Sequence, residues 1–264
     1  MEKILEKVKE VVRRSGKEIM KNYGDDNEVT TKKDKTPVTE IDLLSEKIII
    51  DGLSELGYGF LSEERLGSKD RLDDERIWVI DPIDGTKDFI NQTGEFSVMV
   101  GLVENNESIL GVVYQPAFDK LYFATKGGGA YLEEAGKIKK MNVSRTDDCG
   151  DIKMLASRYH MMDLEQNLSR EMDITDFLSH GSAGLKIALI AEQKADLYIN
   201  SSDRTAEWDI CAADIIIREA GGMITDMNGS RIMYNKENYL NLKGYVVSNG
   251  LVHDKVLAKI KELR

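Results

Sequence analysis

A chain of 264 residues with 41% hydrophobic content and only 3 prolines is long enough for one large domain or two packed lobes, and too apolar to stay disordered. Its formal net charge of -11 argues against non-specific binding to nucleic acid or an anionic membrane, and makes a phosphorylated ligand hard to hold unless cations reverse the field locally. Cys149 and Cys211 support neither a disulfide framework nor a thiolate zinc site, and a charged N-terminal stretch with no run of membrane-spanning length leads us to expect a cytoplasmic protein.

Ile4, Leu5, Val8, Val11, Val12, Ile19 and Met20 recur at helical spacing and Gly24 follows, which predicts an amphipathic helix over residues 2–23. Residues 24–36 are polar and carry Lys32, Lys33 and Lys35, as in a mobile loop or short ribbon. Thr39 has the position of an N-cap for a second helix, whose buried face holds Ile41, Leu44, Ile48, Ile49, Leu53 and Leu56. Asp42 follows at capping-box spacing, which by itself gives it a structural role as a cap. Gly57 to Glu64 reads as a short strand ending in two acids.

The run from Ile77 to Ile80 has the character of a buried strand. Asp81-Pro82 is expected to end it, because proline brings no N–H to a ladder and restricts the residue before it. Asp81 and Asp84 then flank a turn closed by Gly85. Such a turn can be ordinary Asp-Gly chemistry. Equally, two carboxylates this close repel unless a proton or a hard cation such as Mg²⁺ lies between them. Four apolar segments follow like a meander, Phe96–Val103, Ile109–Tyr114, Leu121–Ala124 and Ala130–Leu132.

The second half alternates: strand Lys153–Ser157, helix Leu164–Met172, strand Ile174–Leu178, helix Ala183–Ala191, strand Leu197–Asn200, helix Ile210–Ala220, strand Tyr245–Ser248 and a last helix from about His253. That pattern predicts an α/β lobe. The expected organisation is therefore 1–145, helices on an antiparallel sheet, and 146–264, a smaller mixed α/β lobe, joined without a linker into one catalytic unit.

Glu63, Asp81, Asp84 and Asp209 all fall at element ends, although Asp209 also sits where an N-cap would. Carboxylates converging on one crevice could hold paired Mg²⁺ ions, the usual device for drawing charge from a phosphoryl oxygen. Backbone N–H groups at Gly85-Thr86 and the helix start Gly181-Ser182-Ala183-Gly184 are natural anion seats, with His160 and Lys186 as cations nearby in sequence. Phosphatases with an aspartate nucleophile are excluded, since Pro82 stands two residues before Asp84. P-loop, His-Glu-x-x-His, EF-hand and Gly-x-Ser-x-Gly motifs are all missing.

Asp81-Pro-Ile-Asp-Gly-Thr-Lys-Asp-Phe89, Glu207-Trp-Asp-Ile-Cys-Ala-Ala213 and Glu219-Ala-Gly-Gly222 together resemble the inositol monophosphatase-like superfamily of metal-dependent, lithium-sensitive phosphatases. Pro37-Val-Thr-Glu-Ile-Asp42, Leu61-Ser-Glu-Glu64 and Gly181-Ser182 extend the likeness over nearly the whole chain. Finer details, Gly85-Thr-Lys-Asp-Phe-Ile90 with Gly94-Glu-Phe96, Ala156-Ser-Arg-Tyr-His-Met161, and the segment Leu185 to Tyr198, look like the bacterial 3'(2'),5'-bisphosphate nucleotidases. Asp214 departs from the usual pattern without touching the metal positions.

The resemblance implies a layered α/β/α/β/α fold, with two or three Mg²⁺ on Glu63, Asp81, the Ile83 carbonyl, Asp84 and Asp209. It implies that Thr86, supported by Asp42, orients the attacking water, and that Gly85 and Thr86 grip the scissile phosphate. His160, Gly181, Ser182 and Lys186 would bind the rest of a small phosphorylated substrate, in a monomer or homodimer. The expected reaction is in-line removal of the 3'-phosphate of adenosine 3',5'-bisphosphate. Inositol monophosphate and fructose 1,6-bisphosphate are the rival substrates, and a non-catalytic metal- or anion-binding protein the rival class.

Overall fold

The computed structural model describes residues 1–24, 29–31, 37–67, 69–158 and 162–264. The first half begins with α1 (Glu2–Lys21), a paired ribbon of β1 (Val29–Thr31) and β2 (Pro37–Thr39), and α2 (Glu40–Leu53). The side chain of Thr39, expected to cap α2, lies outside the described residues. Then come β3 (Gly59–Ser62), β4 (Arg76–Asp84), the short α3 (Thr86–Ile90), β5 (Ser97–Glu104), β6 (Glu107–Gln115), β7 (Lys120–Thr125), β8 (Gly129–Glu134) and β9 (Lys137–Lys140). The strands β3 to β9 lie side by side in chain order, antiparallel except for the parallel pair β3–β4.

The second half contains β10 (Lys153–Ser157), α4 (Asp163–Glu171), β11 (Asp176–His180), α5 (Ala183–Ala191), β12 (Leu197–Asn200), α6 (Cys211–Glu219), β13 (Met223–Asp226), β14 (Tyr245–Ser248) and α7 (His253–Leu263). Its mixed sheet has the order β11-β10-β12-β14-β13. Five layers result. α1 and α2 cover one face of the large sheet, α5 and α6 lie between the two sheets, and α4 and α7 cover the far face of the small one. Each sheet is thus buried on both faces. Trp78 and Ile80 of β4 enter the core under α1 and α2, whereas Ile77 and Val79 enter the central core with α5 and α6. This explains why β4 reads as an unbroken apolar run rather than an alternating one.

β4 does not stop at Asp81-Pro82. It continues to Asp84 through a bulge: Asp81 pairs with Met99 and Asp84 with Ser97, so two residues of β4 face one of β5. Proline is tolerated because bulges interrupt the ladder, and because β3 has already ended opposite Ile80. Both backbone groups freed by the bulge find side-chain partners. The Ile83 N–H donates to Asp81 Oδ1 at 3.1 Å, and buried Ser45 of α2 donates to the Pro82 carbonyl at 2.8 Å, backed by Ser15 of α1 at 2.7 Å.

α6 sits unusually close to the large sheet. Gly101 and Gly111 face each other across β5 and β6, and a Cβ on Gly111 would stand 1.9 Å from the Ala212 carbonyl oxygen. On Gly101 it would meet Cys211 Sγ at 2.7 Å. This glycine pair sets the depth of α6 and of the residues that lead into it. Gly111→Ala must push the helix backbone outward, and is expected to lower unfolding free energy by about 2 kcal/mol or more, as other overpacked cores do. Denaturant titration reads this as a reduced midpoint; an unchanged midpoint would show that α6 is not seated by the pair.

Candidate active site

One cleft of about 280 Å³ collects Glu63, Asp81, Ile83, Asp84, Gly85, Thr86, Ser182, Lys186 and Asp209. Different layers deliver them. Glu63 follows β3, whose edge is fixed by the hydrogen bond from Glu63 N to the Ile80 carbonyl. Asp81, Ile83 and Asp84 come from the bulged end of β4. Gly85 holds a left-handed φ of 92°, and a Cβ there would press on the Glu95 carbonyl at 3.1 Å, so glycine is required to turn the strand into α3. Thr86 opens α3 and donates to the Ile83 carbonyl at 3.3 Å.

Asp209 arrives from the opposite side. The sequence suggested an N-cap, but α6 is capped at Ile210 without a side-chain bond, and Asp209 instead accepts the Ala206 N–H. The approach to α6 is anchored by Glu207, which is fully buried and accepts the N–H groups of Asn235 at 2.6 Å and Lys236 at 3.0 Å. Trp208 stacks on Tyr239 beside it.

Oxygens of Asp81, Asp84 and Asp209 lie within 4.8 Å of one another. Asp81 and Asp84 are buried. Burial pushes the Asp81 carboxyl well above the usual carboxylate range, and the charges of Glu63, Asp84, Asp209 and Asp42 push it further. Asp209 is raised for the same reasons, burial first and Asp84 next. Asp84 is raised by burial, against the opposing pull of donors from Ser182 and Gly184. Asp42 stands buried in the first turn of α2, near enough for its charge to act on Asp81.

The donor set fits a hard divalent cation. All the converging groups are oxygens, and without positive charge they would hold protons rather than remain ionised. Asp81, Asp84 and Asp209 are close enough together to share such an ion, and Glu63 and Ile83 line the same cleft.

α5 forms the remaining wall. Ser182 Oγ donates to Asp84 Oδ2 at 2.5 Å and accepts the Leu185 N–H at 3.0 Å, while the Gly184 N–H reaches the same Asp84 oxygen at 2.8 Å. Ser182 does this from φ 52° and ψ 125°, a backbone region that side chains rarely adopt. Lys186 is buried, donates to the His180 carbonyl at 3.3 Å and lies over the ring of Tyr198. The Gly181 N–H is taken by Glu95 at 2.7 Å. His160 lies outside the described residues.

Ser45, Asp88, Glu95 and Arg158 were assigned no role from sequence. Three of them occur in the stretches quoted above, so a signal existed, but nothing in one dimension shows that they meet.

Comparison with known proteins decides the family. The sequence profile described as the inositol monophosphatase family matches residues 1–264. The chain belongs to this family. It is 33% identical over 243 residues to a 3'(2'),5'-bisphosphate nucleotidase of Aggregatibacter actinomycetemcomitans, covering 90% of each protein. It is 31% identical over 258 residues to a fructose-1,6-bisphosphatase/inositol-1-monophosphatase of Thermotoga maritima, covering 96% of this chain and 94% of that one. An inositol monophosphatase structure from Thermotoga maritima matches with a TM-score of 0.84 at 30% identity, over 100% of this chain and 98% of the other. Within this inositol monophosphatase family member, the unusual Asp214 is buried in α6, paired with Arg218 and accepting the Tyr234 hydroxyl at 2.7 Å. Among the described residues no helix is long and apolar enough to cross a membrane.

Since protonation of the raised carboxylates competes with metal, affinity for a divalent cation is expected to fall as pH drops, with protons released on binding. Calorimetry at pH 6 in buffers of different ionisation enthalpy measures that release. A binding enthalpy independent of buffer would contradict the shared-charge description.

Proposed function

We propose that the chain is a Mg²⁺-dependent 3'(2'),5'-bisphosphate nucleotidase, which removes the 3'-phosphate of adenosine 3',5'-bisphosphate to give AMP and phosphate. The observation that supports it most is the convergence of three mutually repelling carboxylates, within 4.8 Å, on a cleft also lined by Thr86 and the start of α5. Glu63, Asp81, Ile83, Asp84 and Asp209 would hold the metal ions. Divalent cations bound there supply the positive charge that offsets charge spreading over the phosphoryl oxygens and favours hydroxide over water near neutral pH.

The chain's own groups do the positioning. The Thr86 hydroxyl, which donates to the Ile83 carbonyl in the structure, takes a proton from the attacking water as it passes its own toward Asp42, buried in the first turn of α2. The N–H groups of Gly85 and Thr86 grip the equatorial oxygens of the scissile phosphate. Ser182, through Asp84, holds the start of α5 against the cleft, and Lys186 with His160 meets the non-reacting part of the substrate. Water attacks in line with the leaving 3'-oxygen, and no side chain becomes phosphorylated.

The preference for a nucleotide is supported by the 33% identity to the Aggregatibacter nucleotidase and by the stretches around Asp88, Glu95 and Arg158. The Thermotoga relative favours a second reading, hydrolysis of inositol monophosphate or fructose 1,6-bisphosphate.

Phosphate release from these three substrates, with and without Mg²⁺ and with added Li⁺, separates the readings. Adenosine 3',5'-bisphosphate is expected to give the highest kcat/KM, with activity lost on chelation and reduced by Li⁺. Asp84→Asn is expected to cut turnover by at least about 100-fold while the fold is retained. A loss of only a few-fold, or a trapped phosphoenzyme, would contradict the mechanism.

A further inference from the structure

Arg158, at the end of β10, lines the cleft together with Asp88 and Ser157. Its Nη2 donates to Glu95 Oε2 at 2.5 Å, and its Nε lies 3.4 Å from Asp88 Oδ1. The same Glu95 oxygen receives the Gly181 N–H, and Asp88 Oδ1 receives the Thr93 hydroxyl at 2.9 Å. Gly181 is so close that a Cβ there would stand 2.4 Å from Asp88 Oδ2. One guanidinium therefore ties α3 and the turn before β5, from the first half of the chain, to the end of β10 and the entrance of α5, from the second. Asp88, Glu95 and Arg158, each from a stretch singled out separately in the sequence, meet in this one contact.

Charge gives the contact a use beyond bracing. Asp88 is 2% exposed, and Glu95 is partly buried beside it. Burial would raise the Glu95 carboxyl, but Arg158 and the Gly181 N–H more than offset this and hold it below its ordinary range. Without Arg158 the cleft would lose one positive charge beside these two carboxylates, on a chain of net charge -11. A scissile phosphate sits against cations and backbone amides. A second phosphate finds the Gly181, Gly184 and Leu185 N–H groups at the start of α5 already taken by Glu95, Asp84 and Ser182, which leaves side-chain charge: among the described residues the cations lining the cleft are Lys87, Arg158 and Lys186.

We propose that Arg158, clasped between Asp88 and Glu95, is a positioning residue that gives the cleft its preference for a ligand with a second phosphate. By offsetting one of their two negative charges and holding Ser157 and Gly181 in place, it lowers the repulsion met by an additional dianion. The inference deepens the nucleotidase reading and rests on it.

Equilibrium binding of adenosine 3',5'-bisphosphate and of adenosine 3'-monophosphate to the full chain, with KM and kcat for whichever is hydrolysed, tests it. Arg158→Gln is expected to weaken binding of the bisphosphate by about ten-fold or more, the scale of a lost charged hydrogen bond. The monophosphate, kcat and Mg²⁺ affinity (followed by tryptophan fluorescence) should all stay within about three-fold, and R158K should recover part of the preference because the charge remains. Adding Glu95→Gln to Arg158→Gln should also recover part, since one negative charge is then removed as well. Equal weakening of both ligands, or an unchanged preference in a folded R158Q protein, would overturn the proposal alone. A parent protein with no preference for the bisphosphate would overturn the nucleotidase reading and this inference together.

Discussion

Bringing Asp81, Asp84 and Asp209 to within 4.8 Å of one another inside a folded chain is unfavourable by itself. Each carboxylate loses hydration, and each repels the others. The rest of the molecule can be understood as the apparatus that holds this arrangement. Ser45 satisfies the Pro82 carbonyl, the Ile83 N–H is met by Asp81, and two donors from the start of α5 fix one oxygen of Asp84. Remove the supports and the carboxylates would turn toward water. Supply a divalent cation and the same repulsion becomes affinity.

The layered architecture is what allows opposite ends of the sequence to share one charge cluster. β4 brings Asp81 and Asp84 from the large sheet, while α6, lying against that sheet over Gly101 and Gly111, brings Asp209 from the second half. The central core draws on both halves, with Val79 and Met99 packed among residues such as Leu185, Ile187 and Ala212. Sliding α6 by about an ångström would alter the spacing of Asp209 from Asp81 and Asp84 before it exposed much apolar surface. Site geometry and core packing are thus one constraint. Ser182 fits the same picture: it donates to Asp84 from a backbone conformation with φ 52° and ψ 125°.

Elements bounded by clear chemical punctuation were legible in the sequence. Lys153–Ser157, Ala183–Ala191 and Leu197–Asn200 appear with the expected bounds, because an apolar run or helical stripe is closed on each side by turn residues. The family resemblance and the layered fold also agree with the comparisons and the structure. β9 was not legible: Lys137–Lys140 is exposed throughout, so no apolar alternation marks it. β13 was missed because its four residues follow directly on the glycines that close α6. The continuation of β4 through Pro82 defied the local rule because the bulge is stabilised by Ser45, 37 residues away in the chain. Asp209 was read with a capping alternative that only the Ala206 contact removes. The clasp around Arg158 joins positions up to 70 residues apart, and sequence periodicity carries no trace of such a contact.

The central claim is that five oxygen donors share divalent cations. Its most direct test is a crystal of the full chain grown with saturating Mn²⁺, whose anomalous scattering locates the ions without reference to activity. The account predicts peaks between Glu63, Asp81, Asp84, Asp209 and the Ile83 carbonyl, at about 2.0–2.3 Å from their oxygens. Peaks elsewhere, or no peak among these donors at saturation, would contradict it.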